Sequence, residues 1–246
     1  MLVRRRRLIA LATIVAVAPL LAQGFGGRRR VFVEPNVPYD GRFTFVRLRY
    51  QEVRSAGWSY DYPAMERHFM KALKEITSIN PRVDGSNIHN LDDPELYKFP
   101  IAYLSEPGYW VMNDAEAKGL REYLLKGGFL IVDDFMGREW LNFEEQMQRV
   151  LPGAQIVPMD VSHPVFDSFF HLESLAMTYP NRPSIQAEFH GIFEDNDPDK
   201  RLMVVINYNN DIGDYMEWSS DDLYPVNLTN DAYKFAVNYV TYGLTH

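Results

Sequence analysis

The feature that most limits how this chain can fold is the passage over residues 127–135. Gly127-Gly128 ends a helical pattern, because glycine takes the left-handed conformation that follows a last turn. Phe129-Leu130-Ile131-Val132 then runs without a polar break. A segment apolar at every position has no solvent face, so it reads as a central parallel strand covered on both sides. Helices supply the cover. Met65, Phe69, Ala72, Leu73 and Ile76 share one helical face before Asn80-Pro81. Ala117, Leu120 and Leu124 form a second stripe, opened by Asn113 and Glu116 in a capping-box arrangement. Asn142 and Glu145 repeat that signal around Phe143, Met147 and Leu151, and Ala232, Phe235, Ala236, Tyr239, Val240 and Gly243 mark a last helix. Residues 43–50, 99–105 and 155–157 read as strands. Residues 187–193 and 202–208, joined by an acidic turn, read as an antiparallel edge; residues 162–182 read as irregular and aromatic. The predicted fold class is α/β: an open, mostly parallel twisted sheet with helices on both faces and an antiparallel edge near the C-terminus.

Among 246 residues there is no cysteine, which excludes disulfides, thiolate metal sites and cysteine nucleophiles together. Seven of the 25 basic residues precede the first acid, Glu34, leaving 18 basic against 33 acidic over residues 31–246. So acidic a body lacks the cations that nucleic-acid binding rests on. Arg4 to Arg7 followed by the apolar run from Leu8 to Ala22 reads as a signal peptide over residues 1–22, cut after Ala22. The alternative is an uncleaved anchor, since no charge separates Arg7 from Arg28; Pro19 and the glycines Gly24, Gly26 and Gly27 argue against a full span. Residues 23–40 read as an extended lead-in and 41–246 as a single α/β domain. The expected location is periplasmic or otherwise exported, with membrane contact only through an uncleaved N-terminal segment.

Four passages resemble the motifs of a bacterial family called domain of unknown function 4159. Residues 122–135, Glu-Tyr-Leu-Leu-Lys-Gly-Gly-Phe-Leu-Ile-Val-Asp-Asp-Phe, are similar to its central motif, and His163-Pro164-Val165-Phe166 to its second. Residues 209–218, Asn-Asn-Asp-Ile-Gly-Asp-Tyr-Met-Glu-Trp, resemble its third motif, and residues 238–246 its ending. The resemblance spans about residues 40–246 and implies a flavodoxin-like sheet, similar to that of class I glutamine amidotransferases and trehalose-utilisation-type proteins. Those amidotransferases use a cysteine at a sharp strand-to-helix turn. Here Asp133, Asp134 and Phe135 stand at that point, which excludes thiol-based glutamine hydrolysis. Relatives of the family occur alongside von Willebrand A-type domain proteins and MoxR-type ATPases, so the resemblance implies a role in cell-envelope assembly.

In open α/β sheets ligands sit beyond the carboxyl ends of the strands, so the candidates follow the predicted strands. Asp133 and Asp134 end a strand and are expected to point to opposite faces, against a paired-carboxylate device. One of them, with Asp211 or Glu106, offers oxygen ligands for Mg²⁺ or Ca²⁺; the plainer reading caps a turn or helix. His163, stiffened by Pro164, reads as a general base, a metal ligand or, preferably, a loop anchor, because the other histidines are scattered. Asn209, Asn210 and Asp211 suit a tight turn and a ligand-orienting loop equally. Glu217 and Trp218 pair an acid with a flat ring, for a sugar or peptide or simply to close the core. Trp58 lies on an aromatic loop that either forms a binding surface or packs over the sheet end. No metal site is assigned and no cofactor is called for beyond that Mg²⁺ or Ca²⁺ chemistry. The expected function is non-catalytic: an exported domain binding an envelope protein or small ligand at the strand ends. The alternative is a hydrolase of carbohydrate or amide substrates using Asp133 or Asp134, His163, Asp211 and Glu217, with a divalent cation.

Overall fold

The computed structural model describes residues 32–52 and 57–246. The signal peptide and the first part of the lead-in, through residue 31, lie outside the described residues. In chain order the elements are β1 (Val46–Arg49), β2 (Gln51–Glu52), α1 (Ala64–Ile76), β3 (Asn87–Asn90), β4 (Ile101–Ser105), β5 (Trp110–Val111) and α2 (Asp114–Leu125). Then come β6 (Phe129–Phe135), α3 (Glu139–Val150), β7 (Val157–Pro158), β8 (Thr178–Tyr179), β9 (Arg182–Gln186), β10 (Glu188–Phe193), β11 (Leu202–Tyr208), α4 (Ile212–Glu217) and α5 (Val226–Thr245).

Seven strands form one sheet in the order β3-β1-β4-β6-β11-β10-β7. The first five run parallel, while β10 is antiparallel to β11 and β7 to β10. Counting only the parallel strands, the order is 2-1-3-4-5, the flavodoxin-like winding, which reverses between β1 and β4. The expected open α/β sheet with an antiparallel C-terminal edge is therefore present.

As predicted from its composition, β6 is buried along its whole length, between two cores. On one face Phe129 and Ile131 meet α1, α4 and α5 through Phe69, Tyr215 and Phe235. On the other, Leu130 and Val132 meet α2 and α3 through Leu120, Leu124 and Phe143. Truncating one such leucine to alanine costs about 2–5 kcal/mol in a packed core. Before β6, Gly127 has φ +107°, the left-handed conformation that stops α2.

Two local expectations need correcting, and one strand is new. Asn142 does not cap α3: the helix starts a turn earlier, at Glu139, and Asn142 donates from Nδ2 to the Pro107 and Trp110 carbonyls at 2.8 and 2.9 Å. Residues 87–90, Asn-Ile-His-Asn, which no sequence pattern marked, form the edge strand β3. Its outer side is covered by the lead-in, where Asn87 exchanges hydrogen bonds with Val37 and Asn36 with Ile88. Within the stretch read as irregular, β8 pairs with β9 in a ribbon extending to Gln186.

Candidate acidic site at the strand ends

Asp133 and Asp134 do not alternate. Ile206 of β11 pairs with Val132 and Tyr208 with Phe135, so Asn207 alone stands opposite two residues of β6. This is a β-bulge, and Asp134 takes φ +61° to make it. The extra residue breaks the alternation, so that Asp133 reaches Tyr103 and Asp134 reaches Ser105 on the same face of β4 with the charge of one acting on the other, and it returns Phe135 to the α3 face, correcting the opposite-face expectation.

The two acids nevertheless do different work. Both Asp133 oxygens are saturated: Oδ2 accepts from Tyr103 Oη at 2.8 Å and the Gly213 N–H at 3.0 Å, and Oδ1 from Asn207 Nδ2 at 3.1 Å and the Ile212 N–H at 3.2 Å. Burial pushes its pKa up to about 6, against the pull of those donors, which favour the ionised form. Asp133 thus ties the start of α4 to β4, β6 and β11. Asn207 is itself held by Tyr239 Oη at 2.7 Å.

Asp134 has fewer partners, with Tyr179 Oη at 3.0 Å from Oδ1 and Ser105 Oγ at 3.3 Å from Oδ2. Burial, and then the charge of Asp133, push its pKa up to about 7. Carboxylate oxygens of Asp61, Asp134 and Asp211 all lie within 4.8 Å of one another. Asp61 comes from the connection between β1 and α1, Asp134 from the end of β6 and Asp211 from the end of β11, around the winding reversal. Burial, followed by the charge of Asp134, holds the Asp61 and Asp211 carboxyls well above the ordinary range. Asp211 also accepts the Asp214 N–H at 2.7 Å, and Asp61 Oδ2 is buried without a hydrogen-bond partner. Asp61 belongs to a second trio with Asp214 and Glu217. Burial raises the pKa of both these acids, while Tyr224 Oη and the Trp218 side chain bond to Asp214 and favour its ionised form.

Arg47 positions the Asp61 loop from inside the sheet. It is fully buried on β1, its Nε 2.6 Å from Glu66 of α1, and its Nη1 donates to the Trp58 and Tyr60 carbonyls at 2.9 and 2.8 Å. A buried pair of this kind fixes geometry more surely than it adds stability. Gly213 completes the enclosure by lacking a side chain: a Cβ there would lie 2.7 Å from Tyr103 Oη and 2.8 Å from Asp61 Oδ2.

The other sequence candidates fall outside this trio. His163 caps a short turn, its Nδ1 accepting the Val165 N–H at 3.2 Å, and its ring packs on Phe193 and Tyr242. It lines a cavity with Lys200 and Arg201 near the amino end of β11, a strand's length or about 20 Å from Asp211. Glu106 ends β4 with φ +53°, and its carbonyl accepts from Tyr50 Oη. Asn209 bonds Gly137 and Glu188; Asn210 is buried with Nδ2 near Met177 Sδ. Trp218 is partly exposed at the end of α4, and Trp58 packs over the α2–α3 core. Asp61, Tyr103, Tyr179 and Arg47 give no signal in the sequence: Asp61 lies in a polar, aromatic loop, and Arg47 alternates with Arg49 in β1 as the solvent face of a strand would.

A family model described as Domain of unknown function (DUF4159) matches residues 44–244. No curated protein matches the chain. The match covers most of the sequence and includes every residue of the acidic cluster, and the chain therefore belongs to the DUF4159 family.

Proposed function

We propose that this protein is a binding domain whose strand-end cluster takes a hard divalent cation, Mg²⁺ or Ca²⁺, and through it an oxygen-rich ligand or partner. The observation that carries this reading is the meeting of Asp61, Asp134 and Asp211, with Asp61 Oδ2 buried and unpartnered. Three buried carboxylates repel one another and must take up either protons or a cation. Oxygens around one Ca²⁺ ion, each about 2.3–2.6 Å from it, lie at most about 5 Å apart, so the observed spacing suits one ion. Water or the ligand would complete its six to eight positions. Asp133, already saturated, serves as scaffold.

Terbium luminescence, sensitised by the neighbouring tyrosines, and thermal unfolding with Mg²⁺, Ca²⁺ or Mn²⁺ test this. Wild type is expected to bind terbium and gain several degrees at millimolar cation, and Asp211→Asn to lose both responses. Absence of either response in a folded wild type overturns the reading. The exported setting is part of the same proposal; an intact mass beginning at Gln23 supports it, and retention in the cytoplasm counts against it. The hydrolase alternative keeps one favourable observation: Asp134, with a pKa near 7, suits general acid–base work beside Asp211. His163 has no part in that version.

A further inference from the structure

A second, shallow cavity of about 440 Å³ lies on the α3 face, beside the carboxyl ends of β6 and β11, and shares no residue with the acidic cluster. Its wall is aromatic. The Trp140 ring lies 4.8 Å from Tyr208 at 60° and 4.9 Å from His190 at 54°, and is backed nearly parallel by Phe135 at 6.2 Å. Tyr208 Oη is occupied by the Gly137 carbonyl at 3.0 Å, which holds that ring in place. The rim is polar. Glu188 Oε1 accepts from Asn209 Nδ2 at 3.2 Å, and its Oε2 stands 3.7 Å from His190 Nε2. His190 Nε2 is buried with no hydrogen-bond partner, and burial lowers the ring's pKa toward the neutral form. Arg138 also lines the cavity, is exposed and makes no ion pair among the described residues.

We propose that this cavity is a carbohydrate subsite that seats one neutral pyranose ring, its C–H face on Trp140 and its hydroxyls at Glu188 and Arg138. One acid and one base on the rim leave no net charge to select a charged ligand. A purely apolar ligand would strip water from Glu188 and Arg138 without replacing its hydrogen bonds, at about 1–3 kcal/mol for each group. A sugar hydroxyl both donates and accepts, so it satisfies the carboxylate and the guanidinium alike. Rings already held by Phe135 and Gly137 lose little freedom when a ligand arrives. The volume, toward the lower end of small-ligand pockets, suits a single ring rather than a long chain.

Saturation-transfer NMR with D-glucose, N-acetyl-D-glucosamine and cellobiose, followed by titration of the Trp140 indole signal, tests the subsite. At least one sugar is expected to bind in the millimolar range, with saturation concentrated on the protons of one ring face. Glu188→Gln and Arg138→Ala, both exposed, are expected to weaken binding about tenfold, the equivalent of one good hydrogen bond. Trp140→Ala is expected to abolish it, and Leu125→Ala on α2 to leave it unchanged. The affinity should be the same with and without EDTA, which separates this site from the acidic cluster. The subsite is overturned if none of the three sugars shows transfer at tens of millimolar. It is equally overturned if binding survives Trp140→Ala, Glu188→Gln and Arg138→Ala, or if free indole shifts the Trp140 signal and the sugars do not.

Discussion

Gly213 and Asp133 show how single residues set what the strand ends can do. At Gly213 a methyl group would sit among Tyr103 Oη, Asp61 Oδ2 and Asp211 Oδ1, where the cation is proposed to lie. Gly213→Ala is therefore expected to remove the thermal response to divalent cations while the far-ultraviolet circular dichroism stays native; a variant responding like wild type would refute that placement. Asp133 is a different case, because its value is structural. Asp133→Ala leaves four donors without their acceptor and is expected to cost about 3 kcal/mol. At about 2–4 °C per kcal/mol for a chain of this size, the loss should be plain in a melting curve. A change under about 1 kcal/mol in urea titration would mean that the bonds to Asp133 do not anchor α4.

At the level of elements, Asn113 and Asn142 show how far a local pattern reaches. Both stand three residues before a glutamate and just ahead of an apolar stripe. Asn113 makes the full capping box: its Oδ1 accepts the Glu116 N–H at 3.0 Å, and Glu116 Oε2 accepts the Asn113 N–H at 2.8 Å. Asn142 lies inside α3, because the turn through Gly137 (φ +55°) starts that helix earlier and frees the amide to bind a neighbouring segment. Asn113→Ala is expected to cost about 1 kcal/mol and Asn113→Gly only a few tenths, since glycine also suits the cap position. Equal losses from the two substitutions would show that α2 does not depend on the box. The helix and strand types were readable from side-chain spacing. Which asparagine becomes a cap depends on where the preceding strand lets the chain go.

For the whole molecule, the concentration of acids with raised pKa values makes stability depend on pH. Asp61, Asp133, Asp134 and Asp211 all hold protons more tightly when folded than their ordinary values allow. The native state thus binds more protons than the unfolded chain once pH exceeds about 4, and stability falls as pH rises through about 7. Without divalent cation the melting temperature is expected to drop by several degrees between about pH 5 and pH 8. Saturating Ca²⁺ or Mg²⁺ should flatten that slope by taking the place of the protons. A melting temperature independent of pH in EDTA would contradict the clustering of charge, and a slope unaltered by either cation would contradict cation binding.

What the sequence determined by itself follows from short-range periodicity. The glycine-stopped helix, the unbroken run of β6 and the alternating apolar faces allow only a layered α/β sheet, and the missing cysteine excludes thiol chemistry whatever the packing. Asp211 was also legible as a candidate, because it follows a predicted strand. So was its pairing with one of Asp133 and Asp134, as residues at neighbouring strand ends; the arrival of Asp61 was not, since it lies on a connection far away in the chain and joins them only when the sheet winds and reverses. The bulge at Asp133 and Asp134 had to wait for the tertiary structure for the same reason. An extra residue in a strand is defined only against its partner, and β6 meets β11 across a long intervening stretch of chain.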